Sequence, residues 1–461
     1  MFRIAVSCSR THIGRMPKAL SKLLWPTLLF ILGAGASFLL CPIEQAAVNQ
    51  QIIGYPDSVV PAYQLRPWLL SFILFIPFLA SVIYRCCGTL DRYTLKTFLN
   101  SFAICFGALF IIMFLEDIQD NLSDFKESED MLYLMGKHYL IKLPSLLVFI
   151  LPYSLMLGLL WSLGKMSKDQ EIVAMIQTGR SVTRIVGPLI GFGFLCTLMC
   201  MVFNYHWAPY ADSQEKSILE QARGIEASEA RHVAYQNNDD SRHWYVGAFP
   251  AEHDHGEPLK SVNITVMKDD SIVQRIITKN ASWSVDARIW ELETPLIHTI
   301  KEGNVTPVTH NENLTFDWPE TPYQIINPGL KPPYLGIPGL TSWLANHRDH
   351  PLSDKRSYLT HWHYRIAHPF ICMITIMLAA PLGIVFNRRG LGGGVAVAIF
   401  LCAGMIFCST VFPTLGESGH LSPVLAAWAT NIIFTLVALV LFHRRMTGQP
   451  IYQTLKNLLG N

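Results

Sequence analysis

Charge is scarce in this 461-residue sequence: Asp, Glu, Lys and Arg together make up 15% of it, against 51% hydrophobic residues. Cysteine is absent between residues 207 and 360, although ten occur elsewhere. Most of those lie in apolar runs such as "FLCTLMC" and "IFLCAGMIFCS", where they read as small packing residues and not as a disulfide framework. Catalytic signatures are missing as well. A phosphate loop needs G-x-x-x-x-G-K-[ST]; "GLLWSLGKM" has one residue too many and a Met after the Lys, and "RRGLGGG" at 388–394 has glycines without the Lys. There is no G-x-S-x-G elbow and no H-E-x-x-H. Acidic residues such as Glu116, Asp117 and Glu417 stand at the ends of apolar runs and not inside them, which argues against an ion-coupled pump. If this chain moves anything, the energy enters from a partner.

What is present is a set of long apolar runs. About 20 such residues span a bilayer, and eight candidates lie near 23–41, 67–86, 98–115, 140–162, 185–206, 366–386, 393–413 and 421–442. Lys and Arg fall on alternate sides: Arg10, Arg15, Lys18 and Lys22; Arg85, Arg92 and Lys96; Lys165, Lys168, Arg180 and Arg184; Arg388 and Arg389; and His443, Arg444 and Arg445. By the positive-inside rule these sites are cytoplasmic, together with both termini. The first run follows a basic leader and could be a cleaved signal, but its length favours an uncleaved anchor. Leu40 before Cys41 excludes a lipoprotein site.

Residues 207–357 break the pattern, so the other side carries a polar insert. Alternating stretches from "RHWYVGAF" to "NLTFDW", parted by turn clusters such as "DDS" and "EGN", predict a periplasmic all-β domain of sandwich or jellyroll type. "NYHWAPYADSQEKSILEQARGIEAS" before it reads as a helix leaving the membrane. His253 and His255, and His361, His363 and His368, lack the spaced partners of a zinc site, so no metal and no cofactor is expected. The expected division is 1–88, an extension with two spans; 89–206, three core spans; 207–357, the β insert; 358–445, three more core spans; and 446–461, a cytoplasmic tail.

Between the fourth and fifth runs lies "KMSKDQEIVAMIQTGRS". Ser167 followed by Gln170 has the form of a capping box, Asp169 and Glu171 suit a helix start, and Gly179 with Arg180 supplies a stop. The pattern predicts a cytoplasmic helix over 167–179 of about 11 residues, roughly 16 Å long and too short to span. Ile172, Met175, Ile176 and Gly179 fall at i, i+3, i+4 and i+7, with Lys168, Asp169, Glu171, Gln177 and Thr178 around them. That stripe suits either a connector lying on the membrane surface or a helix docking into a partner's groove.

"LPYSLMLGLLWSLGKMSKDQEIVAMIQTGRS" resembles the span-plus-coupling-helix signature of the LptF/LptG permeases of lipopolysaccharide export. "LDRYTLKTFL" resembles the start of that family's first span, "IPGLTSWL" and "RIAHPFICMITIMLAAPLGI" its fourth span, and "GESGHLSPVLAAWATNIIF" its last, with a lean toward the G-type subunit. The resemblance implies a six-span permease of an ABC-type exporter in a bacterial inner membrane, paired with a second such subunit and driven by a cytoplasmic ATPase dimer. It implies transfer of lipopolysaccharide, or a related glycolipid, to periplasmic jellyroll bridge proteins, with lateral gates near 98–115 and 393–413. It also implies a coupling role for Ser167, Asp169, Glu171, Ile172, Met175, Ile176, Thr178, Gly179 and Arg180. Among these, Glu171 would pair with a basic residue of the ATPase, and Met175 and Ile176 would be its apolar anchors. No nucleic-acid partner is implied.

Two departures stand out: the two added spans before residue 90, and the acidic "EDIQDNLSDFKESED", where a phosphorylated lipid calls for cations. A membrane-anchored lipid-modifying enzyme and a tethering scaffold are the competing readings.

Overall fold

The computed structural model describes residues 18–52, 59–126, 130–223, 228–237, 241–250, 257–268, 271–284, 287–301, 304–326, 329, 331–348, 351–384 and 392–446. His253, His255, Arg388 and Arg389 lie outside them. Eight helical segments are long and apolar enough to cross a membrane. The first two, α1 (Lys18–Gln51) and α2 (Val60–Cys86), form an antiparallel hairpin. Phe30 sits between Phe75 and Phe78, and the Ser37 and Ser71 hydroxyls meet at 2.6 Å. Then come α3 (Thr89–Lys126), α4 (Met131–Lys168), the short α5 (Glu171–Gln177), α6 (Val182–Tyr205) and α7 (Trp207–Ala222).

Eight antiparallel strands follow: β1 (Ser228–Asn237), β2 (Arg242–Pro250), β3 (Leu259–Lys268), β4 (Ser271–Ser284), β5 (Ile289–Leu292), β6 (Leu296–Lys301), β7 (Asn304–Thr309) and β8 (Leu314–Phe316). Strand β4 organises the sheet. Its first half pairs with β6 and its second half with β5, while β3 lies along its other edge. Trp244 and Trp290 form the centre, with ring centroids 4.9 Å apart. The Trp290 indole donates to the Glu320 carbonyl at 2.7 Å, so the one donor of that buried ring is satisfied. The Glu320 carboxylate, itself buried, is met by Arg242 and Asn237 at 2.8 and 2.7 Å.

The chain returns through α8 (Pro322–Ile326), α9 (Ile337–Asn346) and α10 (Leu352–Ala367), which runs through a 3-10 turn into α11 (Ile371–Gly383); α12 (Gly392–Glu417) and α13 (Pro423–Met446) complete it. Buried Arg365 ties this return to the core, donating to the Leu335 and Pro333 carbonyls and to Asn204. The main apolar core draws on α3, α4, α5, α6, α11, α12 and α13. The added α1–α2 hairpin packs beside that core and is not a separate body. Tyr205 donates to the Ala62 carbonyl at 2.7 Å, and Val48, Val59 and Tyr63 are buried against Tyr323 and Ala345.

Candidate functional site

The elbow between α4 and α6 differs from the expected helix over 167–179. Helix α4 runs unbroken through Lys168, and Ser167 is a buried residue of its last turn and not a cap. The Ser167 hydroxyl donates instead to the Gly383 carbonyl at 3.2 Å, joining the ends of α4 and α11. A Cβ at Gly383 would lie 2.9 Å from Cβ of Leu163, so only glycine allows this approach. The reversal comes at Gln170, with φ 61°, and its side-chain amide turns back to the Ser167 carbonyl at 3.4 Å. Helix α5 is therefore only seven residues long.

Its C-terminus matches the expectation. Gly179 has φ 88°, the Gly179 N–H bonds to the Ile176 carbonyl at 2.9 Å, and the Arg180 N–H bonds to the Met175 carbonyl at 3.3 Å. This is a Schellman stop. The Thr178 hydroxyl adds a bond to the Met175 carbonyl at 2.7 Å, and Ser181 then caps α6 by accepting from the Arg184 N–H.

The apolar stripe points inward. Ile172 and Met175 are buried in the main core beside Leu163 and Met166, and Ile176 is half-buried against it. Met175 is thus an anchor for α5 on its own protein. The exposed face is Lys168, Asp169, Gln170, Ala174, Gln177, Thr178 and Gly179.

Two further contacts pin α5 to the first turns of α3. Tyr93 donates to Glu171 Oε1 at 2.8 Å, and Arg180 pairs with Asp91 at 2.8 Å. Glu171 Oε2 is shielded and has no partner among the described residues. Neither Asp91 nor Tyr93 stands out in sequence as a site residue; the only signal is their place in "LDRYTLKTFL", 78 residues before the glutamate in the case of Tyr93.

A second polar cluster lies at the other end of the core. Lys142 on α4 pairs with Asp117 on α3 and with Glu215 on α7, the latter at 2.6 Å, and His138 reaches Asp117 at 3.3 Å. Asp117, His138 and Glu215 are the one group with metal-ligand spacing among the described residues, and the Lys142 ammonium already joins its two carboxylates. Asp124 is likewise matched by Arg223 at 2.7 Å. Two of the seven acidic residues of "EDIQDNLSDFKESED", Asp117 and Asp124, are therefore matched within the chain. Ser145 donates to Asp212 at 2.6 Å, and burial raises that carboxyl above its ordinary range. His361 bonds to Glu417 and is not drawn into a group with His363 and His368.

The family model for the lipopolysaccharide export system permease LptF/LptG matches residues 92–444. The chain is similar to the lipopolysaccharide export system permease protein LptG of Haemophilus influenzae, 22% identical over 338 residues, which cover 69% of this chain and 88% of that protein. It is also similar to the permease protein LptF of Escherichia coli K12, 24% identical over 320 residues, or 65% of this chain and 79% of that protein. These relatives are transporter components and not enzymes, in keeping with the missing catalytic signatures. The chain is a membrane protein that belongs to the LptF/LptG family, the permeases of the lipopolysaccharide export system.

Proposed function

We propose that this permease subunit takes up the work of a separate ATPase through the elbow around α5. It lies in a bacterial inner membrane with its termini and the elbow in the cytoplasm and the β insert in the periplasm. There it pairs with a second LptF/LptG-type subunit, extracts lipopolysaccharide or a related glycolipid, and passes it to jellyroll bridge proteins.

The observation that carries this reading is the anchoring of α5. Its apolar side is buried in the transmembrane core, and both its ends are tied to α3. A partner gripping the exposed face of Lys168, Asp169, Gln170, Ala174, Gln177 and Thr178 would therefore pull on the spans themselves. The free oxygen of Glu171 is an acceptor for a basic residue of that partner, completing a carboxylate whose other oxygen Tyr93 already holds.

Co-purification in mild detergent tests the proposal. Glu171→Lys and Ala174→Glu are expected to abolish recovery of the ATPase without lowering the amount of inserted protein. Full recovery with both variants would refute the assignment of the docking face.

A further inference from the structure

Between the α1–α2 hairpin and the core lies a cleft of about 650 Å³, within the roughly 300–1,000 Å³ range of small-ligand sites. Most of its wall is apolar, with Trp25 from α1, Ala80 from α2 and Phe192 from α6. Its polar groups are concentrated at one end, where α2 stops and α3 starts: Ser81, Arg85 and Arg92. We propose that this cleft binds an anionic glycerophospholipid, with the phosphate between Arg85 and Arg92 and an acyl chain along the apolar wall.

The argument begins with unmet hydrogen-bonding capacity. The Arg92 Nε and the Ser81 hydroxyl are both shielded from solvent and have no partner among the described residues. Buried donors are seldom left so, and here two of them line one cleft. Arg92 is already fixed in direction, because its Nη2 donates to the Arg85 carbonyl at 2.5 Å. Charge is the second point. The neighbouring carboxylate, Asp91, is taken by Arg180 at 2.8 Å, and no described carboxylate pairs with Arg85 or Arg92. Two guanidinium groups thus stand together at the edge of the membrane with the positive end of α3 beside them.

The missing group must be an acceptor, must carry negative charge, and must continue into something apolar long enough to follow membrane helices. A lipid phosphate meets all three conditions, since guanidinium forks bind phosphate oxygens two at a time and basic pockets between membrane helices suit anionic headgroups. A zwitterionic headgroup would bring its own cation against the two arginines. The added hairpin acquires a role on this view, because it supplies the outer wall of the site and Arg85. The site requires only that α2 and α3 meet at a membrane boundary; assigning it to the cytoplasmic leaflet rests on the proposed orientation.

Native mass spectrometry of the full chain tests this, after delipidation and incubation in detergent with equal amounts of phosphatidylglycerol and phosphatidylcholine. The expected result is one retained phosphatidylglycerol per chain, favoured over phosphatidylcholine by about tenfold or more, the ratio that 1.4 kcal/mol of added charge pairing gives. Arg85→Gln with Arg92→Gln should bring the two lipids level, while the paired Lys replacements keep most of the preference. Ala80→Trp fills the apolar wall with both cations intact and should displace either lipid, so the test survives failure of the Gln pair to fold. Unchanged preference in the Gln pair, or unchanged retention in Ala80→Trp, would overturn the proposal. Since no transport or ATPase is measured, neither result depends on the elbow being the coupling site.

Discussion

Ile172→Ala probes the anchoring of α5 directly. The side chain is 1% exposed, in contact with the core that holds the end of α4. Truncating a buried Ile to Ala costs about 2–5 kcal/mol, part of it for the cavity left behind. Because α5 has only seven residues, it has little stability apart from this packing. The loss should therefore appear as local opening of the elbow and leave the spans assembled. At 1.4 kcal/mol per tenfold, amide protection over 174–181 should fall by about 30-fold or more, with α3 and α11 changed far less. Hydrogen exchange read by mass spectrometry on the detergent-solubilised protein provides the measurement. Ala174→Ser, on the exposed face, is the control and should shift protection by less than about 0.5 kcal/mol. Equal loss in both variants, or protection retained in Ile172→Ala, would show that the inward stripe does not hold the helix.

Two further outcomes follow from neighbouring features. Gly383→Ala should destabilise the protein by about 1–3 kcal/mol, because the new methyl group meets Leu163 Cβ at 2.9 Å; a thermal midpoint unchanged from the parent would contradict that packing. Asp212 adds a pH dependence, since burial raises its folded-state pKa above the ordinary 3.8 despite the Ser145 bond and the nearby Arg365 and Lys142, with Glu215 adding to the rise. A raised folded value means that its contribution is complete below about pH 3.8 and is lost as pH climbs through the raised value. Asp212→Asn should remove that slope and raise the midpoint at neutral pH. A thermal-shift series across pH 3.5–7 with the same slope in both proteins would exclude this origin.

The eight spans were legible because a run long enough to cross a bilayer is a property of composition and needs no knowledge of neighbours. The elbow was legible at one end only. Gly179 stops α5 through local backbone geometry, whereas Ser167 looked like a cap and was claimed by a carbonyl 216 residues away. The direction of the stripe could not be read either, since periodicity identifies an apolar face without saying whether a core or a partner covers it. In the insert, β1 is not legible in the sequence because His232 has φ 55°: Ala230 and Val233, three apart, are both buried, which spoils the alternation by which strands are recognised. Strand β4 runs on through Asn280, whose side-chain amide is held by Glu293 at 2.6 Å.

Helix α4 has 38 residues, about 57 Å at 1.5 Å each. One end, at the elbow, is fastened to α11 through Ser167, and the other part bears on α7, the stem of the β insert, through Lys142 and Ser145. It is a lever with a load at each end. Tilting such a rod by about 5° at the elbow would move its far end by about 5 Å, comparable to one helical turn. Pro144 and Pro152 lie within it, each breaking the backbone ladder at the place where a long helix bends most easily. Much of any stroke delivered at the elbow would thus be taken up or passed on within the seven residues between those two prolines.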